Sequence, residues 1–180
     1  MAALPNVLDT LDREALLVLI HNLYPEWGTP KFDTLTISTA NRSILIVGFS
    51  THEARLSVHI PRTYDDDDFC EVWMPLIIAP LKFLKHALPH LPVPKVHSYS
   101  LGFEPPANVP FMIFDWIEGT PLQAFTKEWP PTDMRHRILN DLSDFVLDMA
   151  LCPIAGAKDI WFYGRYANPS PPFPPTTSNG

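Results

Sequence analysis

A chain of 180 residues is long enough for one domain, or for a domain and part of a second. Its 46% apolar and 18% charged residues place it among globular proteins rather than disordered ones, although 21 prolines are many for a compact domain. A net charge of −7 argues against a nucleic-acid-binding surface, which needs clustered Lys and Arg.

Residues Met1 to Asp9 lack a basic region followed by an apolar core, so no secretory signal is read there. No apolar run approaches the roughly 20 residues that span a bilayer. Cys70 and Cys152 show no metal-like spacing and read as two reduced thiols. A soluble, cytoplasmic protein is expected, with neither a membrane nor a nucleic acid as partner.

Thr10 to Leu23 reads as a helix, because Leu11, Ala15, Leu16, Leu19, Ile20 and Leu23 recur at three- and four-residue intervals. Asp12 and Glu14 suit its N-terminus, and Pro25, Gly28 and Pro30 break the chain after it. Three strands are expected next. Thr34 to Ile37 is short and β-branched. Asn41 to Phe49 is too apolar to assign a single buried face. Arg55 to Ile60 alternates, with Leu56, Val58 and Ile60 on one side, and Ser50 to Glu53 is the turn before it.

Arg62 to Asp68 holds four consecutive aspartates, which repel one another and read as a solvated loop. Glu71 to Leu88 is expected to be helical but split or kinked, because Pro75 and Pro80 each remove an amide donor. Pro89, Pro92 and Pro94 end it in an extended segment. Val96 to Leu101 and Phe111 to Ile117 are strand candidates. Thr132 to Ala150 is an amphipathic helix with Thr132 or Asp133 as cap and Ile138, Leu142, Phe145, Val146 and Met149 as its stripe. From Asn168 onward the residues are too polar and proline-rich to offset chain entropy, and disorder is expected.

Two pieces of this layout are specific: Leu91 to Tyr99 with its Pro-Val-Pro-Lys-Val, and Met112 to Leu122 with its Trp-Ile-Glu-Gly-Thr-Pro-Leu. In this order, and followed by the helix at Arg135 to Met149, they resemble the N-terminal half of the aminoglycoside phosphotransferase family, particularly its divergent fungal members. The resemblance covers roughly residues 34 to 160. It implies an α+β fold: a kinase-like small lobe of antiparallel sheet with a packed helix, a hinge, and the first helix of the large lobe. The expected division is 1–33 for an N-terminal helix and linker, 34–118 for small lobe and hinge, 119–167 for the start of the helical lobe, and 168–180 for the tail.

The same resemblance implies the site. Ser38 to Asn41 would occupy the nucleotide loop, without the glycines that let backbone amides approach phosphates. His59 falls where the family carries the Lys or Arg that contacts the α- and β-phosphates. A histidine is mostly neutral at pH 7, so a strand histidine with a satisfied hydrogen bond is the competing reading. Arg62 is a substitute cation. Glu71 would be the helix carboxylate that pairs with that cation, or else a solvent-facing residue near a helix N-terminus. Asp115, Trp116 and Ile117, with Phe114, would form the hinge that meets an adenine edge through backbone groups.

Phosphoryl transfer in this fold needs an aspartate and an asparagine in a His-x-Asp-x-x-x-x-Asn loop, and a second aspartate for magnesium. None of the seven histidines is followed by Asp at the second position. His86 and His90 make no metal site, since Pro89 separates them and no third ligand is evident. The expectation is a truncated phosphotransferase-like domain that binds ATP weakly, takes no magnesium and catalyses nothing. Two alternatives stand beside it: an active ATP-dependent phosphotransferase whose catalytic half lies in a longer product, and a protein-interaction module whose partner covers the exposed large-lobe helix.

Overall fold

The computed structural model describes residues 7–39, 41–62, 74–119 and 131–152. Within them the chain is α+β, with three α-helices and one five-stranded antiparallel sheet. Helix α1 spans Arg13–Leu23, and Asp12 caps it by accepting a hydrogen bond from the Ala15 amide at 3.0 Å. A 3-10 turn, Pro25–Trp27, follows and ends at Gly28. Gly28 sits at φ 84°, where a Cβ would lie 2.5 Å from Ser50 Oγ, so only glycine fits this corner.

Strands β1 (Pro30–Ser38), β2 (Arg42–Phe49) and β3 (Leu56–Pro61) form a meander. Strand β1 is longer than the β-branched run Thr34–Ile37 suggests. It is an edge strand, and an edge tolerates Pro30 at its first position. Its pairing with β2 shifts register between Phe32 and Thr36. Helix α2 spans Met74–Ala87, and strands β4 (Val96–Ser100) and β5 (Phe111–Asp115) complete the sheet in the order β1-β2-β3-β5-β4.

The expected split of α2 does not occur. Pro75 occupies the second helical position, where its missing amide hydrogen has no intrahelical acceptor to serve. Pro80 lies inside one continuous helix. The aspartate run and Glu71 lie outside the described residues.

Strand alternation sends side chains to two faces. Leu45, Val47, Leu56, Val58, Ile60, Phe111 and Ile113 join Leu16, Leu19 and Ile20 of α1 in the main core. On the other face Met112 and Phe114 meet Met74 and Ile78 of α2. The double-sided burial explains why β2 shows no clean alternation: Ile46 is as buried as its neighbours Leu45 and Val47.

Helix α3 spans Thr132–Leu151. Neither Thr132 nor Asp133 caps it; Pro131 is the N-cap residue and offers no side-chain acceptor. Among the described residues no helix is long and apolar enough to cross a membrane.

Candidate functional site

Of the residues nominated from sequence, His59 lies on the α2-side face of the sheet, Ser38 and Asn41 at one end of it, and Asp115, Trp116 and Ile117 at the other. Ser38 and Ser43 are the last pair before the β1–β2 turn. There the Thr39 amide donates to the Arg42 carbonyl at 2.9 Å, and the Arg42 amide donates to Thr39 Oγ1 at 3.2 Å. Both amides therefore close the hairpin on itself and do not point at a ligand. The Asn41 carbonyl accepts from the Arg62 amide at 3.1 Å, and Arg62 Nη1 donates to the Thr39 carbonyl at 3.0 Å. Arg62 thus stands at the mouth of this turn.

His59 lies opposite Ile44 on β2 and Met112 on β5. Its ring meets Phe114 edge-on at 4.9 Å, and its Nε2 hydrogen-bonds Ser57 Oγ at 3.2 Å. Its Nδ1 is buried with no hydrogen-bond partner among the described residues. Burial, and secondarily the charge of Arg42, pushes its pKa down to about 4. His59 is therefore neutral at pH 7 and carries no standing charge for a phosphate. The described part of α2 contains no carboxylate to pair with it.

Arg42 is the cation that the sequence did not single out. It pairs with Pro61 across β2 and β3, which puts it on the same face as Ile44 and His59. The signal was present, since Arg42 opens β2 and alternation fixes its side. Arg42 and Arg62 supply positive charge where the turn meets this face.

At the far end of the sheet, the ladder runs one residue past β5. The Trp116 amide donates to the Arg55 carbonyl at 3.0 Å, and the Asp115 amide donates to the Lys95 carbonyl at 3.2 Å. Beyond them Ile117 is 56% exposed, and no backbone partner engages it among the described residues. Arg55 and Glu118 form a solvent-exposed ion pair at 3.4 Å, which contributes little to stability.

Both oxygens of the Asp115 carboxylate are engaged. Its Oδ2 accepts from the Lys95 amide at 2.8 Å, and its Oδ1 meets His97 Nε2 at 2.6 Å. The other ring nitrogen of His97 meets the Tyr24 hydroxyl. This Tyr24–His97–Asp115 chain ties the end of α1 through β4 to the end of β5. Burial lowers the His97 pKa, opposed by the hydrogen bond and charge of Asp115, and burial likewise raises that of Tyr24. Tyr24 also stacks on Trp27 at 4.0 Å, and Trp27 on His52 at 4.4 Å.

An open cleft of about 560 Å³ lies where β1 begins and β2 ends, with Lys31, Asp33, Gly48, Ser50, His52 and Arg55 in its wall. None of the described residues nominated from sequence lines it. It adjoins the residue after β5 through Arg55, whose carbonyl takes the Trp116 amide. His90 pairs with Asp148 of α3 at 2.9 Å rather than with His86. Among the described residues no three His, Cys, Asp or Glu side chains converge as a metal site. No family model, no curated protein and no solved structure matches the chain.

Proposed function

We propose that the α2-side face of this sheet is the small-lobe wall of a kinase-like nucleotide site, of the aminoglycoside phosphotransferase type. The adenine edge would meet the backbone of Asp115 to Ile117, and the phosphates would approach Arg42 and Arg62 near the β1–β2 turn. The observation that carries this reading is the strand order β1-β2-β3-β5-β4, with α2 packed on the face that holds His59. The Ile117 backbone beyond β5 supports it, because hinge recognition needs amide and carbonyl groups not consumed by the sheet.

Affinity should be low. The turn amides of Thr39 and Arg42 are spent on the hairpin, and neutral His59 replaces a fixed cation. The chain carries no His-x-Asp loop, so transfer of the γ-phosphate is not expected from it. Radiolabelled ATP with magnesium and a panel of aminoglycosides, choline and homoserine tests that half of the reading. The expected outcome is no labelled product above a protein-free control, and robust turnover refutes it. Competition between ATP and adenosine in equilibrium dialysis tests the other half: both should bind weakly at one site, and absence of competition contradicts a hinge-centred site.

A further inference from the structure

Two irregularities of β1 and β2 border the open cleft of about 560 Å³ where β1 begins and β2 ends. Gly48 is the first. Glycine within a strand weakens it, yet a Cβ at this position would meet nothing within 4 Å. Packing therefore does not demand it, and its effect is to leave the floor of the cleft bare. The second is the register shift between Phe32 and Thr36, which makes β1 bulge at Asp33 and Thr34, both in the cleft wall. Bulges re-aim side chains and concentrate beside ligand sites.

The wall is rich in donors, in a chain whose net charge is −7. Lys31 is the cross-strand partner of Gly48. Arg55 continues the same row, because it precedes Leu56, the partner of Val47. The two cations thus flank the bare glycine, with their backbones two strands, or about 10 Å, apart. The Lys31 side chain has no ion pair or hydrogen bond among the described residues. Arg55 meets Glu118 through one nitrogen, Nη1, at 3.4 Å, and most of its fork stays open. His52 is held by its stack on Trp27 and by the Ala54 amide, which donates to Nδ1 at 3.0 Å. A backbone amide only donates, so Nε2 carries the ring hydrogen. Ser50 Oγ accepts from the Thr29 amide at 2.9 Å, and its own hydrogen remains to donate. Asp33, the acidic residue among the described wall residues, turns Oδ1 to the Thr34 amide at 2.7 Å.

We propose that this cleft binds a small organic dicarboxylate, with Lys31 and Arg55 each taking one carboxylate across the bare floor at Gly48. Its volume suits a small molecule rather than a single ion. Two cations set two strands apart match two separated charges better than one compact phosphate does. The planar fork of Arg55 fits a carboxylate, and His52 Nε2 and Ser50 Oγ add neutral donors. Glu118 is then a competitor, since its carboxylate already sits on Arg55. This inference is independent of the nucleotide reading, because it uses none of Arg42, Arg62 or Asp115 to Ile117.

Titration of the full chain with succinate at constant ionic strength, read by amide chemical shifts, tests it. The expected result is saturable shifts at Lys31, Gly48, Ser50 and His52, with acetate and inorganic phosphate binding more weakly. Lys31→Gln and Arg55→Gln should each weaken succinate about tenfold, the effect of losing one charge-assisted contact. Glu118→Gln should tighten it, which a purely structural ion pair would not do. Gly48→Val should abolish binding at unchanged urea resistance, because the new side chain fills the floor without striking the fold. Absence of saturation overturns the proposal, as does phosphate binding as tightly as succinate. So does a folded Gly48→Val protein that binds succinate like the wild type.

Discussion

Burial keeps the His59 imidazole neutral, with a pKa near 4 against 6.5 for a free histidine, and Arg42 adds to the depression. Between those two values the unfolded chain holds more protons than the folded one. The contribution of neutral His59 to stability is thus complete above about pH 6.5 and drains away as pH falls towards 4. The urea resistance of the wild type should fall as pH drops across that window, and His59→Leu should lose part of that acid sensitivity. Identical pH slopes for the two proteins would contradict the assignment. Tyr24→Phe strips the hydroxyl from His97 and leaves a buried ring nitrogen unpaired, at a cost of about 1–2 kcal/mol. A lower urea midpoint at constant m-value is the expected outcome, and an unchanged midpoint would count against the relay. Strand alternation made the direction of His59 readable in advance. The relay was not readable, because Tyr24 and His97 are 73 positions apart and nothing local marks either one.

Element boundaries followed hydrophobic periodicity where tertiary contacts reinforce it, and departed where they override it. Arg13–Leu23, Arg42–Phe49 and Leu56–Pro61 lie close to the segments expected from their patterns. The extension of β1 back to Pro30 depends on pairing with Phe49 and Gly48, a long-range register that a propensity scan does not see. Pro75 leaves α2 intact because it falls in the first turn, a matter of where the helix starts rather than of composition, whereas Pro80 lies inside the helix. Helix α3 starts at a residue with no side-chain acceptor, Pro131. Pro131→Asp should cap it and stabilise its first turn by about 1 kcal/mol. Slower amide exchange in residues 132–136 is the readout, and unchanged or faster exchange would show that the turn is limited by something else.

At the scale of the whole molecule, β3 is the joint between the β1–β3 meander and the β4–β5 pair, and its union with β5 makes one sheet of them. That union places the β1–β2 turn and the end of β5 at opposite ends of one sheet with His59 between them, although the turn and the end of β5 are far apart in sequence. An antiparallel sheet with one packed helix was expected; that α1 covers its second face was not. The hairpin's self-satisfied amides, the neutrality of His59 and the cleft beside β1 could not, because each depends on which groups the fold has already paired. On the nucleotide reading proposed above, the turn end of the face offers few free amides to a triphosphate, because those of Thr39 and Arg42 close the hairpin. Adenosine and ATP should therefore bind with similar weak affinity.

Amide chemical-shift mapping of the full chain during titration with magnesium ATP tests the central claim most directly. The account predicts saturable shifts centred on Trp116, Ile117 and Glu118, with smaller ones at Arg42 and Arg62. Shifts confined to Lys31, Gly48 and Ser50, or no shifts at millimolar nucleotide, would contradict it.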